Sequence, residues 1–274
     1  MIMKTTDVKT IHVLSLGAGV QSSTLAFMYA AGLLSPMPVA AVFADTHGEP
    51  KTVYDYLEHV EKSVPFPVLR VSAGDLIEDF KKVISGQKKR CGQPPFYVKK
   101  SPDDRGGMLW RQCTKDYKLN PIARAVRQLA KDYKAKHVVQ IVGISWDEMT
   151  RMKESGRKYV TNIHPLVDMR WTRQMCLAWL KEQGHPEPPK SACWYCPYTS
   201  NARWAEMRDN QSESWKKAVQ LDRQLRTGKI MKNIVGAMYL HRSFTPLEEA
   251  RLTDSDHGQE VMSFQDECDG ICNV

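Results

Sequence analysis

Apolar and polar positions along the first half of the chain follow two alternating rhythms. "TIHVLSLG" (10–17) is a short apolar run ending in glycine, which predicts a buried parallel strand. "SSTLAFMYAAGLL" (22–34) has helical composition and opens on hydroxyl residues able to cap it. "PVAAVFAD" (38–45) predicts a second strand and "EPKTVYDYLEHVEKSV" (49–64) a second helix, with Pro50 at an early helical position. "FPVLRVSA" (66–73) and "GDLIEDFKKVIS" (74–85) repeat the pair. A helix over 120–135 and a strand over 137–145 follow. This alternation predicts an α/β fold with a doubly wound, mostly parallel sheet.

Two regions break the rhythm. Segment 86–112, "GQKKRCGQPPFYVKKSPDDRGGMLWRQ", is rich in Gly, Pro, Lys and Arg and has no clean period. A loop of that length inside a compact domain is expected to be a functional flap or disordered. Beyond about residue 166 helices and turns take over: an amphipathic "RQMCLAWLKEQG", a rigid "HPEPPKSACWYCPY" and one long polar helix starting at "NARWAEM". The chain therefore divides into an α/β domain over 1–165 and a helical, cysteine-bearing C-terminal region over 166–274. No internal repeat or low-complexity tract is present.

Composition narrows the setting. Of 274 residues 42% are hydrophobic, as suits a soluble globular chain, and the formal net charge is +8. Such an excess favours an anionic partner, a nucleotide or nucleic acid, although it also serves as a solubilising surface. The most apolar stretch, residues 22–45, is interrupted by Gly32, Ser35, Pro36 and Pro38, so no membrane span or membrane partner is expected. The opening residues carry no long apolar run before a small-residue cleavage site. A cytoplasmic location is expected, where the seven cysteines serve as thiols or metal ligands.

The junction "LSLGAGVQSST" is the first candidate site. A strand, then glycines, then a helix start aims backbone N–H groups at an anion. Ser15, Gly17, Ala18, Gly19, Gln21, Ser22 and Ser23 form this candidate loop, and the glycines alone also suit an ordinary tight turn. It lacks the Gly-Lys-Ser/Thr ending of a Walker loop and the third glycine of a dinucleotide fingerprint. After the 137–145 strand, Gly143 offers a close backbone approach. Arg151 and Arg157 offer anion contacts, and Asp147 and Glu148 could hold Mg²⁺ or pair with those arginines.

The cysteines form the second constellation. Cys193-x-x-Cys196 places two sulfurs within reach of one metal or makes a redox pair. Cys113 lies beside Arg and Lys, Cys268 and Cys272 lie in the tail, and Cys91 lies in the 86–112 segment. Cys176, on an amphipathic helix, reads as a core thiol.

"GAGVQS" resembles the PP-loop of ATP pyrophosphatases, consensus Ser-Gly-Gly-x-Asp-Ser, with Gly17 in place of the first Ser and Gln21 in place of the Asp. The Gln variant and "VFADTHGEP" are similar to the phosphoadenosine phosphosulfate (PAPS) reductase family, in which Asp45 and Glu49 would line the nucleotide pocket. "QCTKDYKLNPI" resembles the first cysteine element of the cluster-bearing APS reductases, with one cysteine instead of two and one extra residue before Pro121. Lys118 falls near the family's basic position. The resemblance spans roughly residues 10–200 and implies an adenine nucleotide alpha hydrolase-like fold. It implies a 4Fe–4S cluster on Cys113, Cys193 and Cys196, with a tail cysteine or an open iron completing it. Zinc on Cys193, Cys196, Cys268 and Cys272, or free thiols, are the alternatives. Glu267-Cys268 loosely resembles the Glu-Cys-Gly of cluster-free PAPS reductases, which implies Cys268 or Cys272 as a reactive thiol with Arg242 nearby. Three functions follow as expectations. One is a PAPS reductase working with a thioredoxin-type reductant. The second is an ATP-dependent thiolation enzyme for tRNA or DNA, which the basic 86–112 segment would suit. The third is a non-catalytic, zinc-stapled nucleotide-binding module.

Overall fold

The computed structural model describes residues 9–101, 103–227 and 236–253. In chain order the elements of the first part are β1 (Thr10–Ser15), α1 (Val20–Ala30), β2 (Ala40–Asp45), α2 (Lys51–Ser63), β3 (Val68–Ser72) and α3 (Leu76–Ile84). Then come β4 (Tyr97–Lys99), β5 (Gly107–Met108), a π-helical segment (Thr114–Leu119) running into α4 (Asn120–Asp132), β6 (His137–Val142), a 3-10 turn (Trp146–Arg151) and β7 (Val160–Ile163). The chain continues through α5 (Pro165–Asp168), α6 (Arg173–Glu182), α7 (Asn201–Asn210), α8 (Ser212–Thr227) and β8 (Ala237–Tyr239).

Five strands form one parallel sheet in the order β3-β2-β1-β6-β7. The period-2 rhythm of the sequence separates its two faces. Leu14, Ala41, Phe43 and Ile141 join Phe27 of α1, Leu57 of α2 and Leu180 of α6 in one core. Val13, Val42, Ala44 and Val138 join Ile122, Val126 and Ala130 of α4 in another. Helices thus cover both faces, and the fold is α/β with a doubly wound parallel sheet, as the alternation predicts. Short-range chemistry fixes the helix starts. Asp75 caps α3 through Ile77 N (2.9 Å) and Glu78 N (3.0 Å), and Thr172 caps α6 through Met175 N (3.3 Å).

Segment 86–112 departs from its expected character. It carries β4 and β5, which pair antiparallel with each other, and β4 pairs with β8 from the far end of the chain. Phe96 and Cys91 are buried in a third core with Phe80, Trp204, Leu221, Met238 and Leu247. Cys91 is thus a core thiol rather than a loop thiol. Packing also cuts across the linear division at residue 165, because α6 belongs to the parallel-sheet core while 86–112 belongs with α7 and α8. The single long helix expected after residue 200 is two. Gln211, at φ −131° and ψ 56°, ends α7, and the bend sets Trp204 edge-on to Trp215 with ring centroids 6.4 Å apart. Buried Asp222 of α8 pins the returning chain by accepting from Leu240 N and Leu247 N, both at 2.9 Å. Among the described residues, no helix is long and apolar enough to cross a membrane.

Candidate nucleotide crevice and thiol cavity

The strand order reverses direction between β1 and β6, so the crevice past their C-terminal ends is where an open α/β sheet binds ligands. Two loops flank it: Leu16–Gly19 after β1 and Gly143–Ser145 after β6. Helix α1 starts at Val20, two residues before the expected start. Gly19, its N-cap residue, makes no side-chain cap, and its first turn carries no acidic residue. The positive end of the helix dipole therefore faces the crevice without a side-chain acceptor. Within the loop, Gly17 N donates to Ser22 Oγ (3.1 Å) and Ser22 Oγ donates to Gly19 O (3.4 Å). Ala18, at the first glycine of the consensus, adopts the left-handed φ of +55° that a glycine would take without strain.

Buried side chains tie the two flanking loops together. Gln21 is fully buried and its Nε2 donates to Ser145 Oγ at 3.3 Å. A Cβ on Gly143 would lie 2.7 Å from Ser22 N and 2.8 Å from its Cα, so the glycine admits the first turn of α1 itself. Ser15 accepts from Gln140 Nε2 at 2.7 Å, joining β1 to β6. Ser23 is fully buried, facing the core beneath the loop. Arg151 is taken up by a buried pair with Glu148 at 2.6 Å, and Asp147 accepts from Arg173 N at 3.1 Å.

The turn after β2 carries the acidic candidates. Asp45 Oδ1 accepts from Tyr54 Oη and His47 N, both at 2.7 Å. Burial, followed by that hydrogen bond, pushes the Tyr54 phenol well above its ordinary range. Glu49 is buried, and Lys118 Nζ donates to its Oε1 at 3.3 Å; both side chains are almost wholly out of solvent. Lys118 is brought there by the π-helical segment. The π turn shifts the register by one residue relative to a regular α-helix.

Cys113, Cys193 and Cys196 line one small cavity of about 30 Å³, with Thr46, Arg111 and Tyr195 among its walls. Cys193 Sγ is 3.2 Å from Thr46 Oγ1 and 3.8 Å from Glu49 Oε1. Trp194 N donates to Gly48 O (2.8 Å), holding the Cys-x-x-Cys turn on the β2 loop. The turn has no room to spare, because a Cβ on Gly48 would lie 2.4 Å from the Tyr195 ring. Burial first, then the neighbouring Cys193, drives the Tyr195 phenol far above its ordinary range. Ser191, two residues before Cys193, donates to Gly17 O at 2.6 Å. The thiol turn and the anion loop are therefore joined directly.

Arg242 is exposed. Its charge draws the Tyr97 phenol down against the larger upward effect of burial, and Cys196 acts on that phenol too. His241 beside it is buried between Asn201 Oδ1 (3.0 Å) and Ser243 Oγ (2.7 Å). Cys176 is fully buried, with burial pushing its thiol up to about 12, as befits a core thiol. Cys268 and Cys272 lie outside the described residues.

Soft thiol donors suit iron–sulfur or zinc in kind. Three thiolates are one short of a closed tetrahedral set. Among the described residues, no three His, Cys, Asp or Glu side chains form a group able to hold a metal ion. Sequence reading singled out neither Ser191 nor Tyr195, which make their contacts with distant segments.

No protein-family model and no curated protein matches the chain. Among solved structures it is similar to the phosphate complex of a phosphoadenylyl-sulfate (PAPS) reductase from Candida auris. The identity is 15% and the TM-score 0.43, over 69% of this chain and 83% of that one.

Proposed function

We propose that this protein is a PAPS reductase-like enzyme that binds an adenine nucleotide at the β1/β6 crevice and performs sulfur chemistry with cysteine thiols beside it. The observation that carries the reading is the direct link between the two half-sites, in which Ser191 of the thiol turn donates to Gly17 O of the anion loop at 2.6 Å. The uncapped start of α1 and the loop N–H groups receive the phosphates. In this reading Asp45 and Glu49, the latter 3.8 Å from Cys193 Sγ, line the nucleotide pocket.

In this scheme a thiolate attacks the sulfate sulfur of PAPS. A sulfur–sulfur bond forms as the bond from sulfur to the phosphate oxygen breaks, and adenosine 3′,5′-bisphosphate leaves. A second thiol attacks the modified cysteine sulfur, closing a disulfide and expelling sulfite. The two electrons come from the thiols, and an external dithiol of the thioredoxin type restores them. Cys268 supplies the attacking thiolate and Cys193 the second thiol, with Arg242 holding the sulfonate. The scheme needs no cluster. Iron, sulfide and zinc analysis after anaerobic purification reads whether the tail cysteines complete a metal site.

The test is calorimetry with PAPS, adenosine 3′,5′-bisphosphate and ATP, followed by sulfite release from PAPS with a dithiol. Cys268→Ser is expected to abolish turnover, and Cys193→Ser to trap an S-sulfo adduct visible by mass spectrometry. Absence of heat with all three nucleotides overturns the reading. Binding of ATP alone, with no sulfite from PAPS, rejects the reductase.

A further inference from the structure

Trp110 is 86% exposed, more than any other large hydrophobic side chain among the described residues. It is not on a loose loop. Leu109 N donates to Phe96 O (2.9 Å) just before it, and Gln112 N and Cys113 N both donate to Gln93 O (3.2 Å) just after it. The indole is therefore displayed from a backbone fixed on both sides, although leaving that much apolar surface in water forfeits the gain of burying it. An exposed aromatic held in place, with no packing role, marks a contact surface.

The segment that displays it is strongly basic. Segment 86–112 carries seven Lys and Arg against two Asp, in a chain whose formal net charge is +8. Lys89, Arg90, Lys100 and Arg105 are exposed. The neighbouring Arg111 guanidinium lies over the Tyr198 ring, 5.2 Å from its centroid. A peptide partner fitting this strip would need strong negative charge and an aromatic-binding face together. An unpaired polynucleotide has both in its ordinary repeat, a phosphate and an exposed base per unit. A duplex does not, because its base faces are stacked inside.

We propose that the β4–β5 platform is a docking surface for single-stranded nucleic acid, with a base stacked on Trp110 and flanking phosphates on Lys89, Lys100 and Arg105. Arg111, the next residue, lines the thiol cavity, so the bound strand passes the cavity mouth. The inference rests on the platform alone and is independent of the nucleotide crevice.

The experiment uses the full chain and fluorescein-labelled single-stranded oligonucleotides of about 12 nucleotides, in DNA and RNA form, with the matching duplexes. Anisotropy is expected to show binding of a single strand in preference to its duplex, and the tighter of the two sugars identifies the natural strand. Three to four phosphate contacts predict a log–log salt slope of about −2 to −3. Trp110→Ala is expected to weaken binding by about tenfold or more, while Trp110→Phe keeps most of it. Arg105→Glu should flatten the salt slope. Adenine-nucleotide heats and thermal melting should stay unchanged in Trp110→Ala, because this side chain is largely in solvent. Binding of neither single strand at low salt, equal affinity for duplex, or an unaffected Trp110→Ala each overturns the proposal.

Discussion

Lys118 and Glu49 show what one residue can decide. Both are sealed from solvent and joined at 3.3 Å, beside Cys193. Removing only the cation strands a buried carboxylate, which typically costs about 3–5 kcal/mol. Lys118→Met is therefore expected to lower the urea midpoint sharply, and adding Glu49→Gln should recover most of the loss. If the double variant is no more stable than the single one, the pair is not the cause. The thiols divide in the same way. Burial pushes Cys91 up to about 11 and Cys176 to about 12, so neither carries appreciable thiolate at neutral pH. Native-state labelling with iodoacetamide near pH 8, read by peptide mass mapping, should spare both and modify Cys113, Cys193 or Cys196 before either. Equal labelling of Cys176 would contradict the packing. The resemblance to the cluster-bearing APS reductases put Cys113, Cys193 and Cys196 forward together, and residue types and spacing marked Cys176 as core. They could not show that Ser191 bonds to Gly17 O or that Gly143 exists for Ser22, since those contacts join segments more than a hundred residues apart.

Elements respond to acid through their histidines. His185, just after α6, stacks on Phe27 of α1 with centroids 3.6 Å apart, and its Nδ1 lies 3.3 Å from His59 Nε2 of α2. Burial first, then the charge of His59, lowers the His185 pKa; burial also lowers His12 and His164. In each case the native state refuses a proton that the unfolded chain accepts. Stability from these sites is complete above the ordinary value of about 6.5, falls as pH drops below it, and levels off under the native values. The depressed carboxylate of Asp79, where Lys88 and Tyr117 outweigh the opposing effect of burial, loses its contribution only in the lower carboxylate range. Urea midpoints should therefore fall between pH 7.5 and 5.5, and His185→Gln should reduce the slope. A flat profile in the parent protein rejects this account. Strands β1, β2, β3 and β6 of the parallel sheet were legible because their apolar runs extend over five or more residues, whereas β7, four residues long, was not. Strands β4, β5 and β8 were not legible, being two or three residues long, with β4 and β8 paired across more than a hundred residues. The π segment was visible only as an extra residue before Pro121, and the break at Gln211 only as polar residues in a helical run.

At the scale of the molecule, the sheet places the loops after β1, β2 and β6 at one end, and the returning C-terminal half brings the thiols to the same end. That placement makes a prediction about linkage. A ligand held by the loop after β1 restrains Gly17, whose carbonyl accepts from Ser191, and through it the turn that carries Cys193. Nucleotide should then act on both half-sites. At a concentration about a hundred times its dissociation constant it should stabilise the fold by about 2.7 kcal/mol, read as a rise in melting temperature. It should also slow alkylation of Cys193, while an equal concentration of free adenosine, lacking the phosphate that the helix end attracts, does neither. Ser191→Ala separates the two effects. Removing the hydroxyl leaves the loop N–H groups in place, so binding and thermal stabilisation should persist while protection of Cys193 is lost. Protection that survives Ser191→Ala would mean the nucleotide shields the thiol by covering it. A nucleotide that stabilises the wild-type protein yet never alters Cys193 labelling would mean that the crevice and the cavity, although adjacent, work separately.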